Sequence, residues 1–311
     1  MNMTKVIPIE AQGQRLDKVL AELFKEYSRS QLQLWLKAGH LLVNGKTLEG
    51  KTKVNGDEII TLVPQAEEIL EDLPEDIPLN IVFEDEAMLV INKPAGLTVH
   101  PGAGQRSGTL LNALLHHCPT QNTLPRAGIV HRLDKETSGL MVVAKTLEAH
   151  NALIKAMQAR EIKRHYIALV LGELVSGGTV DAAMGRHPKD RQKMAVLLHM
   201  ESAKPAKTDY EIIKRYTNLT LIRAKLHTGR THQIRVHMAH IGYPLVGDPT
   251  YGRKVPKHKE YPEGLWQALH QFPRQALHAE YLALNHPMTE EPMEWRCEIP
   301  EDLKKLFEIL K

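Results

Sequence analysis

Residues 64–90 carry nine acidic side chains and no basic one, and prolines interrupt them at positions 64, 74 and 78. A stretch so charged and so broken by proline is a poor core element, and over 64–80 it reads as an extended linker. It divides the 311-residue chain into a small N-terminal part and a much larger C-terminal one. Residues 1–63 are nearly balanced, with nine Lys/Arg against seven Asp/Glu, whereas residues 91–311 hold 31 basic against 21 acidic side chains. That excess suits a polyanionic partner, although an ordinary solvated surface gives the same count. No apolar run reaches the ~18–20 residues of a membrane span, and the first residues lack the apolar stretch of a secretory signal. Cys118 and Cys297 stand far apart with no CxxC, so neither a disulfide scaffold nor a thiolate zinc cage is expected. The expectation is a cytoplasmic monomer with no membrane partner.

The small part reads as a compact module over 13–63. Leu16, Val19, Leu20 and Leu23 share one helical face, and Ser28 followed by Gln31 marks the start of a second helix over Leu32, Trp35 and Leu36, with Gly39 as its stop. Leu41-Leu42-Val43 then meets Asn44-Gly45, the dipeptide that best tolerates a tight hairpin turn, and Asn55-Gly56-Asp57 turns the chain again before Ile59-Ile60-Thr61-Leu62-Val63. Residues 45–52, GKTLEGKT, satisfy the P-loop pattern. A P-loop must run from a strand straight into a helix, and here a turn and a β-branched run follow. Gly102, Gly104 and Gly108 are one residue off the dinucleotide fingerprint and read as a loop.

From Ile81 onward short apolar runs recur at 88–91, 140–144, 166–170 and 219–222, with helical stretches expected near 109–117, 148–160 and 233–241. Strands outnumber helices without alternating with them, which points to α+β rather than a doubly wound sheet. The densest cluster of reactive residue types is 128–140, GIVHRLDKETSGL. Its aspartate, Asp134, lies in a polar turn between two apolar runs, where a scaffold can expose a catalytic side chain, and nearby cations favour the carboxylate form. A charged hairpin turn with solvated ion pairs would look the same.

Two resemblances narrow this. Arg15-Leu16-Asp17-Lys18-Val19-Leu20, Ser28-Arg29-Ser30-Gln31 and Val43-Asn44-Gly45-Lys46 resemble the S4 RNA-binding domain, in the family's order. The HRLD run at 131–134 with Thr137-Ser138-Gly139-Leu140 resembles the signature of the RluA family of pseudouridine synthases. Three further segments, at 89–97, 163–170 and 228–237, follow that family's order across roughly residues 81–300. The resemblance implies an S4-type α/β module with its linker over 13–75. A catalytic domain over 80–311 would follow, built on a mixed, largely antiparallel β-sheet with a central cleft.

By position, the family likeness makes Asp134 the catalytic aspartate, Arg235 the arginine that pairs with it, and Tyr166 the active-site tyrosine beside the base. Arg132 matches the arginine that fills the space of the flipped nucleotide, and Arg15, Arg29 and Lys37 match cations that the module offers to RNA phosphates. The implied reaction breaks the N1–C1′ bond of uridine, turns the base and rejoins it through C5. It loses no group and changes no oxidation state, so no cofactor is expected. The implied target is large-subunit (23S) rRNA or its precursor. The alternatives are a tRNA or another rRNA site, or a non-catalytic RNA-binding ribosome-assembly factor. Among the seventeen histidines, His227, His232, His237 and His240 lie close together but match no zinc-ligand spacing, so no metal is expected.

Overall fold

The computed structural model describes residues 2–64, 73–102, 105–190, 192–197, 200, 202–261 and 263–310. The chain separates into two compact units, Met1–Glu71 and Asp72–Lys311.

In the small unit, strands β1 (Met3–Val6), β2 (Leu41–Val43) and β3 (Ile59–Leu62) form an antiparallel sheet in the order β1-β3-β2. Helices α1 (Leu16–Leu23) and α2 (Arg29–Ala38) bury Leu16, Val19, Leu20, Leu32, Trp35 and Leu36 in one core with Leu41, Ile60 and Leu62. Ser28 Oγ accepts the Gln31 N–H and Gly39 ends α2 in the left-handed region, so the sequence's stop and start signals act as read. The Asn44-Gly45 turn forms with φ of 49° and 75° and is closed by hydrogen bonds both ways between Val43 and Lys46, but β2 zips no further along the residues that follow it. It pairs instead with β3, and Asn44 Oδ1 accepts the Ile59 N–H across that gap. Strand β1 was not anticipated: four residues of alternating, half-exposed character carry little pattern on their own. The GKTLEGKT segment is an irregular loop whose Gly50 and Thr52 carbonyls accept from the amides of Asp17 and Leu16.

The larger unit runs β4 (Ile81–Glu84), β5 (Met88–Lys93), α3 (Leu110–His117), β6 (Ser138–Ala144), α4 (Leu147–Ala159) and β7 (Lys163–Leu171). It continues through β8 (Gly178–Asp181), β9 (Met184–Arg186), β10 (Met194–Val196), β11 (Lys207–Tyr216), β12 (Leu219–Leu226) and α5 (Gln233–His240). It ends with α6 (Leu265–Gln271), β13 (Leu277–Asn285), β14 (Pro292–Arg296) and α7 (Glu301–Ile309). Nine strands form one sheet in the order β4-β5-β6-β13-β7-β12-β11-β8, with β14 added to β13. Among the described strands only the β6–β13 pair is parallel. The architecture is α+β with a mixed, largely antiparallel sheet, and no described helix is long and apolar enough to cross a membrane.

Side-chain alternation explains the continuous apolar runs. Leu89, Ile91, Met141 and Val143 pack with α3 on one face, while Met88, Val90, Leu140 and Val142 pack with α4 on the other. Both faces are covered there, so every residue of β6 is buried. The acidic linker is partly anchored. Residues 65–72 lie outside the described residues, but beyond them the Leu73 carbonyl accepts from Asn112 Nδ2 at 2.8 Å. Glu75 Oε1 accepts the Gly108 N–H at 2.9 Å, so residues 73–75 lie against the start of α3. Of the expected glycine loop, Gly102 bridges to Gln105 and Gly104 lies outside the described residues.

Candidate active site

Asp134 sits in a tight turn just before β6, closed by the Thr137 N–H donating to the Asp134 carbonyl at 3.0 Å. That turn is held from several sides. Lys93 Nζ, fully buried at the end of β5, donates to the carbonyls of Pro94, Leu97 and Lys135. Arg274 Nη1 donates to the Glu136 carbonyl at 3.1 Å, and Gln275 Nε2 to Thr137 Oγ1 at 3.0 Å. Gly139 then crosses β13 so closely, at φ 118°, that a Cβ there would lie 2.3 Å from the Ala279 oxygen. The glycine of the motif is thus a steric requirement of the parallel strand pair that carries the aspartate's turn.

Arg235 reaches this turn from α5, which is 101 positions later in the chain. Its Nη1 donates to Asp134 Oδ2 at 2.9 Å, while Nε and Nη2 grip Asp248 at 2.7 and 2.8 Å. Asp248 is itself fixed, since its Oδ1 accepts the N–H groups of Thr250 and Tyr251. Burial works against both charges of this pair. The Asp248 hydrogen bonds, with the charges of Asp248 and Asp134, nonetheless hold the Arg235 pKa above its ordinary value. Burial likewise opposes the Asp248 charge, but Arg235 and the two amides hold its pKa below the usual carboxylate range. The arrangement leaves Asp134 Oδ1 unbonded to Arg235, with His232 Nε2 3.7 Å away. His232 Nδ1 in turn shares a hydrogen bond with the Tyr251 hydroxyl at 2.9 Å.

Tyr166 and Arg164 project from one face of β7, two residues apart, into the same pocket as Asp134. Arg132, exposed, and the 229–235 segment complete its wall.

Residues 87–240 match the family model described as RNA pseudouridylate synthase, and residues 14–60 match the S4 domain model. The chain is 52% identical over 98% of its length to ribosomal large subunit pseudouridine synthase D of Pseudomonas aeruginosa, covering 94% of that protein. It is 50% identical over its full length to the protein of the same name from Pasteurella multocida, covering 95% of it. The chain belongs to the RNA pseudouridylate synthase family. A solved structure, human RNA pseudouridylate synthase domain containing 4, superposes with a TM-score of 0.58 at 26% identity. That superposition covers 74% of this chain and 92% of the human one.

For an RNA pseudouridylate synthase the placements are informative. The structure brings Arg132 and Asp134 of the HRLD run into one cleft with Arg235 and Tyr166, which come from distant segments. Burial, reinforced by Asp134 and opposed by Arg164, raises the Tyr166 pKa above its ordinary value, so its phenol is protonated at neutral pH. Arg15, Arg29 and Lys37 lie in the small unit instead. Arg15 is already paired with Asp17 through two hydrogen bonds, while Arg29 and Lys37 are exposed near the two ends of α2 and make no ion pair among the described residues. Of the clustered histidines, His232 faces Asp134, His237 is fully buried between Thr208 and the Ala182 carbonyl, and His227 pairs with Asp209. Among the described residues no group of three or more His, Cys, Asp or Glu could hold a metal.

The sequence reading missed Asp248, Tyr251 and Arg164 as site residues. Asp248 had a usable signal, a Gly-Asp-Pro-Thr-Tyr turn in which an aspartate collects the amides that follow it.

Proposed function

We propose that this pseudouridine synthase isomerises uridine in large-subunit (23S) rRNA, with Asp134 as the group that attacks the target nucleotide or takes its proton. The observation that carries the reading is the clamp on Arg235: held by Asp248, it fixes one oxygen of Asp134 and leaves the other to meet substrate. A carboxylate presented in this way suits the nucleophile or the base that the isomerisation needs. The leaving uracil is also the incoming partner, so one carboxylate suffices: the N1–C1′ bond breaks, the C5–C1′ bond forms, and a proton passes from C5 to N1.

In this reading Tyr166 lies against the base as a wall and hydrogen-bond donor, and a role with the C5 proton requires loss of its own proton first. Arg132, exposed beside the pocket, takes the place of the flipped nucleotide. The scissile bond is inaccessible in a stacked helix, and flipping costs a few kcal/mol. The S4 module contributes affinity through Arg29 and Lys37, and through Arg15 where phosphate competes with Asp17 for it. The enzyme works as a cytoplasmic monomer without cofactor or metal. Support for the rRNA target comes from the relatives' printed names and from the near-complete overlap in length.

The test is pseudouridine mapping across rRNA and tRNA in cells lacking the protein, complemented with wild type or with Asp134→Asn. Loss of large-subunit rRNA sites, restored by wild type and not by the variant, is expected. Loss of a tRNA site with every rRNA site intact would overturn the substrate; restoration by Asp134→Asn would overturn the role of the aspartate.

A further inference from the structure

Beside the narrow catalytic pocket lies a second cavity of about 550 Å³, and the two share Arg132, Arg164 and Gly229 as walls. His100, Arg126 and His131 also line it, and among the described residues no acidic one does. Arg164 is 6% exposed, and its side chain makes no hydrogen bond or ion pair to any described residue; its Nε is buried without a partner. Gly229 leaves the guanidinium its room, since a Cβ there would lie 2.8 Å from Nη1. A second orphan donor faces the same problem. His131 Nε2 accepts the Val142 N–H at 3.1 Å, so the proton of the neutral ring sits on Nδ1, which is buried and also without a partner. Buried donors left unbonded are costly, and a buried arginine without an anion costs most, unless a ligand completes them.

We propose that this cavity binds a backbone phosphate of the RNA strand immediately next to the target uridine, with Arg164 as its principal contact. The inference rests on the reading of the chain as an enzyme acting on RNA at Asp134. RNA's anion is the phosphodiester, and a guanidinium fork matches two of its oxygens. Arg164 is two residues from Tyr166 on one strand face, so an anion held there is a near neighbour of the base in the catalytic pocket. Arg126 and Arg132 add charge from the segment that precedes β6, and the His131 Nδ1–H supplies a neutral donor. The buried Arg164 thereby fixes where along the strand the protein grips, which decides which nucleotide can enter the pocket.

The experiment neutralises phosphates one at a time. RNA stem-loops carrying a single methylphosphonate at each linkage around the target uridine are assayed with wild type for affinity and for single-turnover rate. One linkage next to the uridine should lose at least about tenfold, the scale of a lost charge-assisted hydrogen bond. Arg164→Met should lose as much on unmodified RNA and nothing further at that linkage, whereas Arg164→Lys should keep part of the binding. The wild-type profile needs no variant to fold, and wild-type turnover on unmodified RNA checks the substrate reading separately. The proposal is overturned if no flanking methylphosphonate affects wild type, or if the losses from Arg164→Met and from every linkage simply multiply. It is equally overturned if Arg164→Met shifts only the pH profile of the rate, which would make Arg164 a modulator of Tyr166.

Discussion

Arg235 and Arg164 are two buried arginines in one cleft, 4% and 6% exposed, and they are completed in opposite ways. Arg235 is saturated by two carboxylates, one of which is fixed in turn by backbone amides. Arg164 has no anion at all among the described residues. The difference separates two functions that sequence alone merges under a basic residue near an aspartate. A cation paired within the protein positions a protein group, and here it aims Asp134. A cation left unpaired in a cavity wall retains its full charge for a ligand, at a standing cost to the free protein's stability.

The comparison breaks most severely at its acidic centre. Asp134→Asn keeps the size of the side chain but loses nucleophile and base, so single-turnover pseudouridine formation should fall by at least about 10²–10⁴-fold with RNA affinity nearly unchanged. Tritium release from 5-tritiated uridine RNA reads this, and wild-type-like turnover would remove Asp134 from the chemistry. Next in size is Asp248→Asn, which leaves Arg235 gripped by one carboxylate instead of two. Stability should drop by roughly 3–5 kcal/mol, as for a broken buried pair. The rate at saturating RNA should drop more than about tenfold, equivalent to ~1.4 kcal/mol. An unchanged rate would mean that the clamp does not aim Asp134.

How much of this was legible beforehand follows from the range of each interaction. The helices of the small unit were readable because Ser28, Gly39 and the Leu16-Val19-Leu20 face act within one or two turns. In the large unit the apolar runs marked β5, β6, β7 and β12, but neither the remaining strands nor the sheet order, since β13 reaches β6 across 140 positions. Pairing of Asp134 with Arg235 was available only through family likeness, because nothing local links positions 134 and 235. The unpaired state of Arg164 was not readable at all. Lack of a partner is a property of the folded surroundings, and Lys163-Arg164-His165 reads as a surface-like run although Arg164 is buried.

The basic wall makes a smaller prediction with a definite sign. Burial, with Arg164 adding to it, holds the His131 pKa down to about 3, against an ordinary value near 6.5. Between those values the unfolded chain binds a proton that the folded one refuses, so stability falls as pH drops from about 6.5 toward 3. His131→Gln should flatten the acid limb of stability by up to ~1.4 kcal/mol per pH unit, the share of one group. Chemical denaturation over a pH series measures it, and an unchanged slope would place His131 in solvent.

The smallest expected effect on rate tests whether the cleft is self-sufficient. Removing residues 1–71 leaves Leu73 and Glu75 bonded to the larger unit and spares both arginines. The rate at saturating RNA should hold, while the log–log salt dependence of affinity flattens by ~0.7–0.9 per lost phosphate contact. A collapsed rate with the remaining unit folded would show that the small unit helps build the site; an unchanged salt slope would show that it does not touch RNA.

The most direct measurement of the contrast is thermal unfolding of Arg235→Met and Arg164→Met beside wild type, with and without RNA. Without RNA, Arg235→Met should melt lower than wild type, because it strands two buried carboxylates, at roughly 2–4 °C per kcal/mol. Arg164→Met should melt higher, because it removes a buried charge that nothing offsets, and RNA should then raise its melting temperature less than it raises that of wild type. If both variants melted lower by similar amounts and gained equally from RNA, the two arginines would be doing the same structural job and the account of the cleft would be wrong.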